Sequence, residues 1–96
     1  MSVTVIVNLR AAEGNAEALL ALLQQGRDFS SRAEGCEAFD VYQGQDDPHR
    51  FGIVERWTSL EAHHANVEQN VKASGHLAKI LPLLGEPIQS AAYRAG

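Results

Sequence analysis

Several ingredients are scarce in this sequence, and each scarcity excludes something. There is a single cysteine, Cys36, so no disulfide can form within the chain. Neither cysteine nor histidine stands at ligand spacing from it, and Cys36 reads as a small strand or loop residue. No His-Glu-x-x-His pattern, phosphate-binding glycine loop or nucleophile elbow is present, so no metal site is expected. The longest apolar run, Ala18 to Leu23, is far too short to cross a bilayer, and the N-terminal residues lack the basic and apolar regions of a signal peptide. A cytoplasmic protein with no membrane association is therefore expected. Lys and Arg number 8 against 12 Asp and Glu, and the net charge of -4 argues against a nucleic-acid surface. Aromatics make up 6%, with one tryptophan, so the few aromatic positions carry much of the information.

What remains is an ordinary globular composition, 45% apolar and 21% charged over 96 residues, which is one domain. Such a chain builds one core but shelters a roomy site only with difficulty, which leans toward an oligomer. Val3, Val5, Val7 and Leu9 alternate with Thr4, Ile6, Asn8 and Arg10, which predicts a first strand. Asn15 is the expected N-cap of a helix running to about Ala33, with Ala16, Leu19, Leu20 and Leu23 on one face. Gly35 is placed to adopt a left-handed conformation before a second strand, in which Phe39, Val41 and Gln43 alternate with Ala38, Asp40 and Tyr42. The turn from Gln45 to His49 makes a hairpin with a third strand ending at Trp57. Thr58 and Glu61 have capping-box spacing, which opens a second helix carrying Leu60, Ala62, Ala65 and Val67. After Ser74-Gly75 a short helix is expected from His76 to Leu81, then a last strand from Ile88 to Tyr93.

That order is the split βαβ arrangement of an α+β ferredoxin-like sandwich, with helices on one face of a four-stranded antiparallel sheet. The Val3, Val5, Val7 and Leu9 face is expected to be the open one, covered by a second copy in a homodimer packed sheet against sheet.

Five segments together resemble the antibiotic biosynthesis monooxygenase domain: Val5-Ile6-Val7-Asn8-Leu9-Arg10, Glu34-Gly35-Cys36, Asp47-Pro48, Glu55-Arg56-Trp57-Thr58-Ser59-Leu60-Glu61-Ala62-His63, and Leu81-Pro82-Leu83-Leu84. The resemblance covers nearly the whole chain. It implies a dimeric α+β barrel with a pocket between sheet and helices in each protomer. It also implies a cofactor-independent monooxygenase, needing only dioxygen and a small aromatic ligand such as a quinol or anthrone. In that reading Asn8 faces the helices and holds the substrate oxygen, and one of His63, His64 or His76 serves as base. Trp57, Phe51, Tyr42 and His63 are the expected substrate contacts. Each residue also has a structural reading: Asn8 bonding backbone, Trp57 and Phe51 packing the core, Tyr42 at a rim, the histidines solvated. Asn66 and Val71 stand where many relatives carry histidines. A haem-binding or haem-degrading dimer with His76 as axial ligand is one alternative, and a non-catalytic ligand-binding dimer is another.

Overall fold

A computed structural model describes residues 2–96. Strand β1 (Val3–Arg10) leads to helix α1 (Ala16–Ser30), then to β2 (Cys36–Gln43) and β3 (Arg50–Trp57). Helix α2 (Leu60–Asn66) continues as a π-helical segment, Val67–Lys72, followed by α3 (His76–Ile80), a 3-10 turn at Leu81–Leu83 and β4 (Gln89–Tyr93). The strands lie in the order β2-β3-β1-β4, with every neighbouring pair antiparallel. This is the ferredoxin-like α+β architecture that the element order predicts.

The face of β1 that meets the helices is the reverse of the expected one. Val5 and Leu9 are buried, and Leu9 joins Ala11, Leu19, Leu23, Phe51, Ile53 and Ile80 in the core. Asn8 is exposed on the opposite, open face, where its strand partners are Gly52 and Gln89. Both faces of β1 carry apolar residues, but four consecutive odd positions are apolar against one even position, and the stronger stripe enters the core. The open face accordingly presents Thr4, Ile6 and Asn8 of β1, Val54 and Arg56 of β3, Tyr42 of β2 and Tyr93 of β4.

In α1, Leu19, Leu23, Gly26 and Ser30 form the buried stripe, spaced three to four residues apart along one helix face. The helix ends at Ser30, three residues short of the expected Ala33. Asn15 does not cap it through its side chain. Its Nδ2 instead donates to the Leu83 carbonyl at 3.4 Å, tying the helix start to the segment before β4.

The start of α2 is capped by Ser59, whose hydroxyl accepts from the Ala62 amide at 3.1 Å, so the cap lies one residue beyond the predicted Thr58. Thr58 serves the junction differently, through its amide, which donates to the Gly35 carbonyl at 2.8 Å. Gly35 has φ +85°, and a Cβ there would fall 2.6 Å from Ala62 Cβ and 2.8 Å from Thr58 Oγ1. Only glycine meets both demands at this junction. Leu60 is substantially exposed and Ala65 is exposed, whereas Asn66 is buried and Ala62, His63 and Val67 are half-buried. A helix that turns His63 and Asn66 toward the sheet is lining something polar.

Candidate active site

Between the sheet and the helices lies a cavity of about 640 Å³. Its sheet side is built from alternate residues of neighbouring strands at matched heights: Val7 beside Ile53 and Ser90, then Phe39 beside Glu55. Its other walls come from Leu23 and Gly26 of α1, from α2 with its π-helical continuation, and from His76, Leu77 and Ile80. From the level of Leu9 to that of Glu55 the strands rise about 14 Å, at ~3.4 Å per residue, which is the length of a small fused-ring system. The cavity is mainly apolar, and Glu55 and His63 lie at the end where β3 runs into α2.

Glu55 stands at that end. It is 5% exposed, and its Oε1 accepts a hydrogen bond from Trp57 Nε1 at 2.9 Å. Both side chains point the same way because they are two residues apart on β3. Burial pushes the Glu55 carboxyl up to about 7, and the indole hydrogen bond opposes that rise only in part. His63 reaches it from α2, with Nε2 3.8 Å from Glu55 Oε1 and its ring edge-on to Trp57 at 5.8 Å. Burial, reinforced by the neighbouring His64, lowers the His63 titration, so the imidazole is neutral near pH 7. His63 Nδ1 is buried without a hydrogen-bond partner. Placing the single ring proton on Nε2, toward Glu55, leaves a lone pair rather than an N–H unpaired at Nδ1. At 3.8 Å the two groups do not bond each other, but one ligand oxygen about 2.8 Å from each would bridge them.

A second polar group borders the same wall. Asn66 Nδ2 donates to Ser30 Oγ at 2.9 Å, and Asn70 Nδ2 donates to Asn66 Oδ1 at 2.8 Å. This chain fastens α2 to the end of α1 across the cavity. The π-helical turn follows directly after Asn66, so Asn70 lies beside it on the next turn.

The structure distributes the expected site residues unevenly. His63, His64 and His76 line the cavity. Asn8 does not, because it lies across the sheet, beside a small depression of about 180 Å³ formed with Ile6, Gln89 and Tyr93. Tyr42 is 58% exposed on the open face. Phe51 and Trp57 are almost wholly enclosed at 1% and 0% exposure, so Phe51 supports the core and Trp57 reaches the site through its bond to Glu55. His64 is exposed at the rim. His76 is 8% exposed, packs edge-on against Phe29 at 4.9 Å and hydrogen-bonds the backbone of Leu22. Its Nε2 lies 3.1 Å from where a Cβ on Gly26 would be, so that nitrogen is turned to α1. The residues therefore do not fit a haem whose iron is taken by Nε2 of His76, since that contact with α1 would have to break first. Among the described residues, no group of three or more His, Cys, Asp or Glu side chains is arranged to hold a metal ion.

Glu55 is the residue that sequence reasoning missed. Its signal was available, since a carboxylate at a core-facing position between Ile53 and Trp57 breaks the apolar alternation of β3.

A ferredoxin-like sandwich with an apolar cavity between sheet and helices, and one carboxylic acid beside an imidazole at its end, defines a small-ligand site of acid–base character. The chain belongs to the antibiotic biosynthesis monooxygenase family, whose model matches residues 2–70. Among solved structures it is similar to a candidate antibiotic biosynthesis monooxygenase of Nitrosomonas europaea, with 22% identity, a TM-score of 0.90 and coverage of 98% of this chain and 89% of that one. A candidate of the same name from Deinococcus radiodurans shows 24% identity and a TM-score of 0.87 over 98% and 92% of the two chains. A third, from Chloroflexus aurantiacus, is 28% identical with a TM-score of 0.78 over 100% and 96%. No curated protein matches the sequence. Among the described residues no helix is long and apolar enough to cross a membrane.

Proposed function

We propose that the protein is a cofactor-independent monooxygenase acting on a small electron-rich aromatic, a quinol or an anthrone-like compound, bound between the sheet and the helices. The observation that carries this reading is the buried Glu55 carboxyl, raised to about 7 and placed next to His63 in a largely apolar cavity. Such a substrate supplies its own electrons to dioxygen once it has lost a proton, so the protein has only to remove that proton and keep water away. Glu55 as carboxylate takes the proton from the phenol or activated carbon. His63 Nε2–H donates to the oxygen on which negative charge develops. For an anthrone, one dioxygen then converts the methylene to a carbonyl, and the second oxygen atom leaves as water. The apolar walls from Val7, Ile53, Leu23 and Ile80 enclose the ring system. A titratable group near neutral pH suits this chemistry, because a base is most effective when its pKa lies near the working pH.

The same reading includes a homodimer. Ile6, Val54, Tyr42 and Tyr93 leave an apolar area on the open sheet face, and a second copy packed there would form the barrel that family membership supports. The test is oxygen uptake by metal-free protein over a panel of quinols and anthrones. Turnover that is lost in Glu55→Gln is the expected result. Absence of turnover across the panel, with the same compounds binding in the cavity, would leave a non-catalytic binding dimer as the better account.

A further inference from the structure

We propose that the cavity also catalyses an oxygen-independent reaction, the enolisation of an apolar cyclic ketone, with Glu55 moving the α-proton and His63 holding the carbonyl oxygen. This rests on the acid–base roles of Glu55 and His63 in the oxygenase but does not involve dioxygen. Three features of the site support it. Glu55 Oε1 and His63 Nε2 are 3.8 Å apart and both border the cavity, so a ketone whose oxygen accepts from Nε2–H brings its adjacent carbon near the carboxylate. The two groups differ in kind: one accepts a proton and the other donates a hydrogen bond, as a 1,3-proton shift requires. The surroundings of Glu55 are closed, with Trp57 Nε1 fixing Oε1 and with Val5 and Phe39 as its cross-strand neighbours.

The step balances within the site. The α C–H bond breaks, its proton forms an O–H bond on Glu55, and the electron pair moves into an enolate whose oxygen is held by His63. Once the proton on Glu55 has been swapped for a solvent deuteron, its return to the same carbon gives exchange, and return to the far carbon of an unsaturated ketone gives the conjugated isomer. No oxidant or reductant takes part. Burial also favours the protonated form of Glu55, so the carboxyl takes up the α-proton readily.

The experiment uses 2-tetralone in deuterated buffer under argon, following loss of its C1 hydrogens by proton NMR. The whole protein is expected to accelerate exchange above the buffer rate, with a rate that rises with pD around a midpoint near 7. Glu55→Gln, which keeps an acceptor for Trp57 Nε1, is expected to fold and to lose the acceleration by about 100-fold or more. Exchange no faster than buffer, a rate equal in Glu55→Gln, or a profile flat in pD overturns the proposal. Oxygen uptake on anthrones without anaerobic exchange likewise overturns it while leaving the oxygenase intact. Anaerobic exchange without oxygen uptake supports it and removes the oxygenase.

Discussion

Replacing Glu55 by glutamine should make the protein more stable and the site inactive. A carboxyl moved from its ordinary value near 4.5 to about 7 binds its proton more tightly in the folded chain than in the unfolded one. Between those two values the native state therefore holds more protons than the unfolded state, and stability falls as pH rises through this window. Above pH 7 the whole deficit is present, about 3 kcal/mol at pH 8 against under 1 kcal/mol at pH 5. Glutamine has no such deficit, and its carbonyl can still accept from Trp57 Nε1. The lowered titrations of His63 and His76 act in the opposite direction below about pH 6.5; His76 is distant from the change, and His63, 3.8 Å from Glu55, is lowered by burial and by His64, which Glu55→Gln leaves in place. The difference between wild type and Glu55→Gln therefore isolates Glu55. Urea unfolding at fixed protein concentration, at pH 5 and pH 8, should show the variant's advantage growing by about 2–3 kcal/mol, on the order of 2 M in midpoint. An advantage that stays constant within about 0.5 kcal/mol across this range would refute the claim that burial holds the proton on Glu55.

Further perturbations address the rest of the site. The pH profile of kcat/KM should rise with a midpoint near 7 and reach a plateau above it; a profile that falls through neutral pH would exclude Glu55 as base. Val7→Phe should narrow the cavity floor and raise KM about tenfold or more, whereas Asn8→Ala, on the other face, should leave steady-state rates within about threefold. Ser30→Ala should cost about 1–3 kcal/mol in denaturant unfolding, because it leaves the buried Asn66 amide without its acceptor. Gly35→Ala should cost roughly 2–4 kcal/mol, since φ +85° strains an L side chain and the new Cβ meets Ala62 and Thr58.

The element order, the hairpin at residues 45–49, the left-handed Gly35 and the break at Ser74-Gly75 were all legible in the sequence, because each rests on local chemistry. Which face of β1 turns inward was not legible from one strand alone. Ile6 and Thr4 made both faces tolerable, and a strand's side-chain period of two turns any misassigned face into its complete opposite. The position of Asn8 followed from that single choice. In α2 the apolar residues do not mark the inward side, since Leu60 and Ala65 are exposed and only Ala62 and Val67 are half-buried. Amphipathic patterning assumes an apolar neighbour, whereas this helix faces a cavity and sends in His63 and Asn66. His76 stood out in the sequence as an imidazole, but its packing against Phe29 and Gly26 depends on contacts between segments some fifty residues apart.

Glu55 shows why the functional end of the cavity is the part where local patterning misleads. On β3 the residues Phe51, Ile53, Glu55 and Trp57 share one face, and three of them are ordinary core residues. A charged residue at the fourth position contradicts the fold's own pattern and lowers stability at neutral pH. Trp57 contributes both to the contradiction and to its partial relief. It closes the core around Glu55, which raises the carboxyl, and it donates the hydrogen bond that opposes the rise. A carboxylate at the surface would titrate too low to return a proton, and one buried without the indole would titrate still higher. The strand alternation that buries Trp57 thus also places Glu55 where its proton affinity would suit the proposed neutral-pH reaction, and the helix capped at Ser59 delivers His63 to the same point.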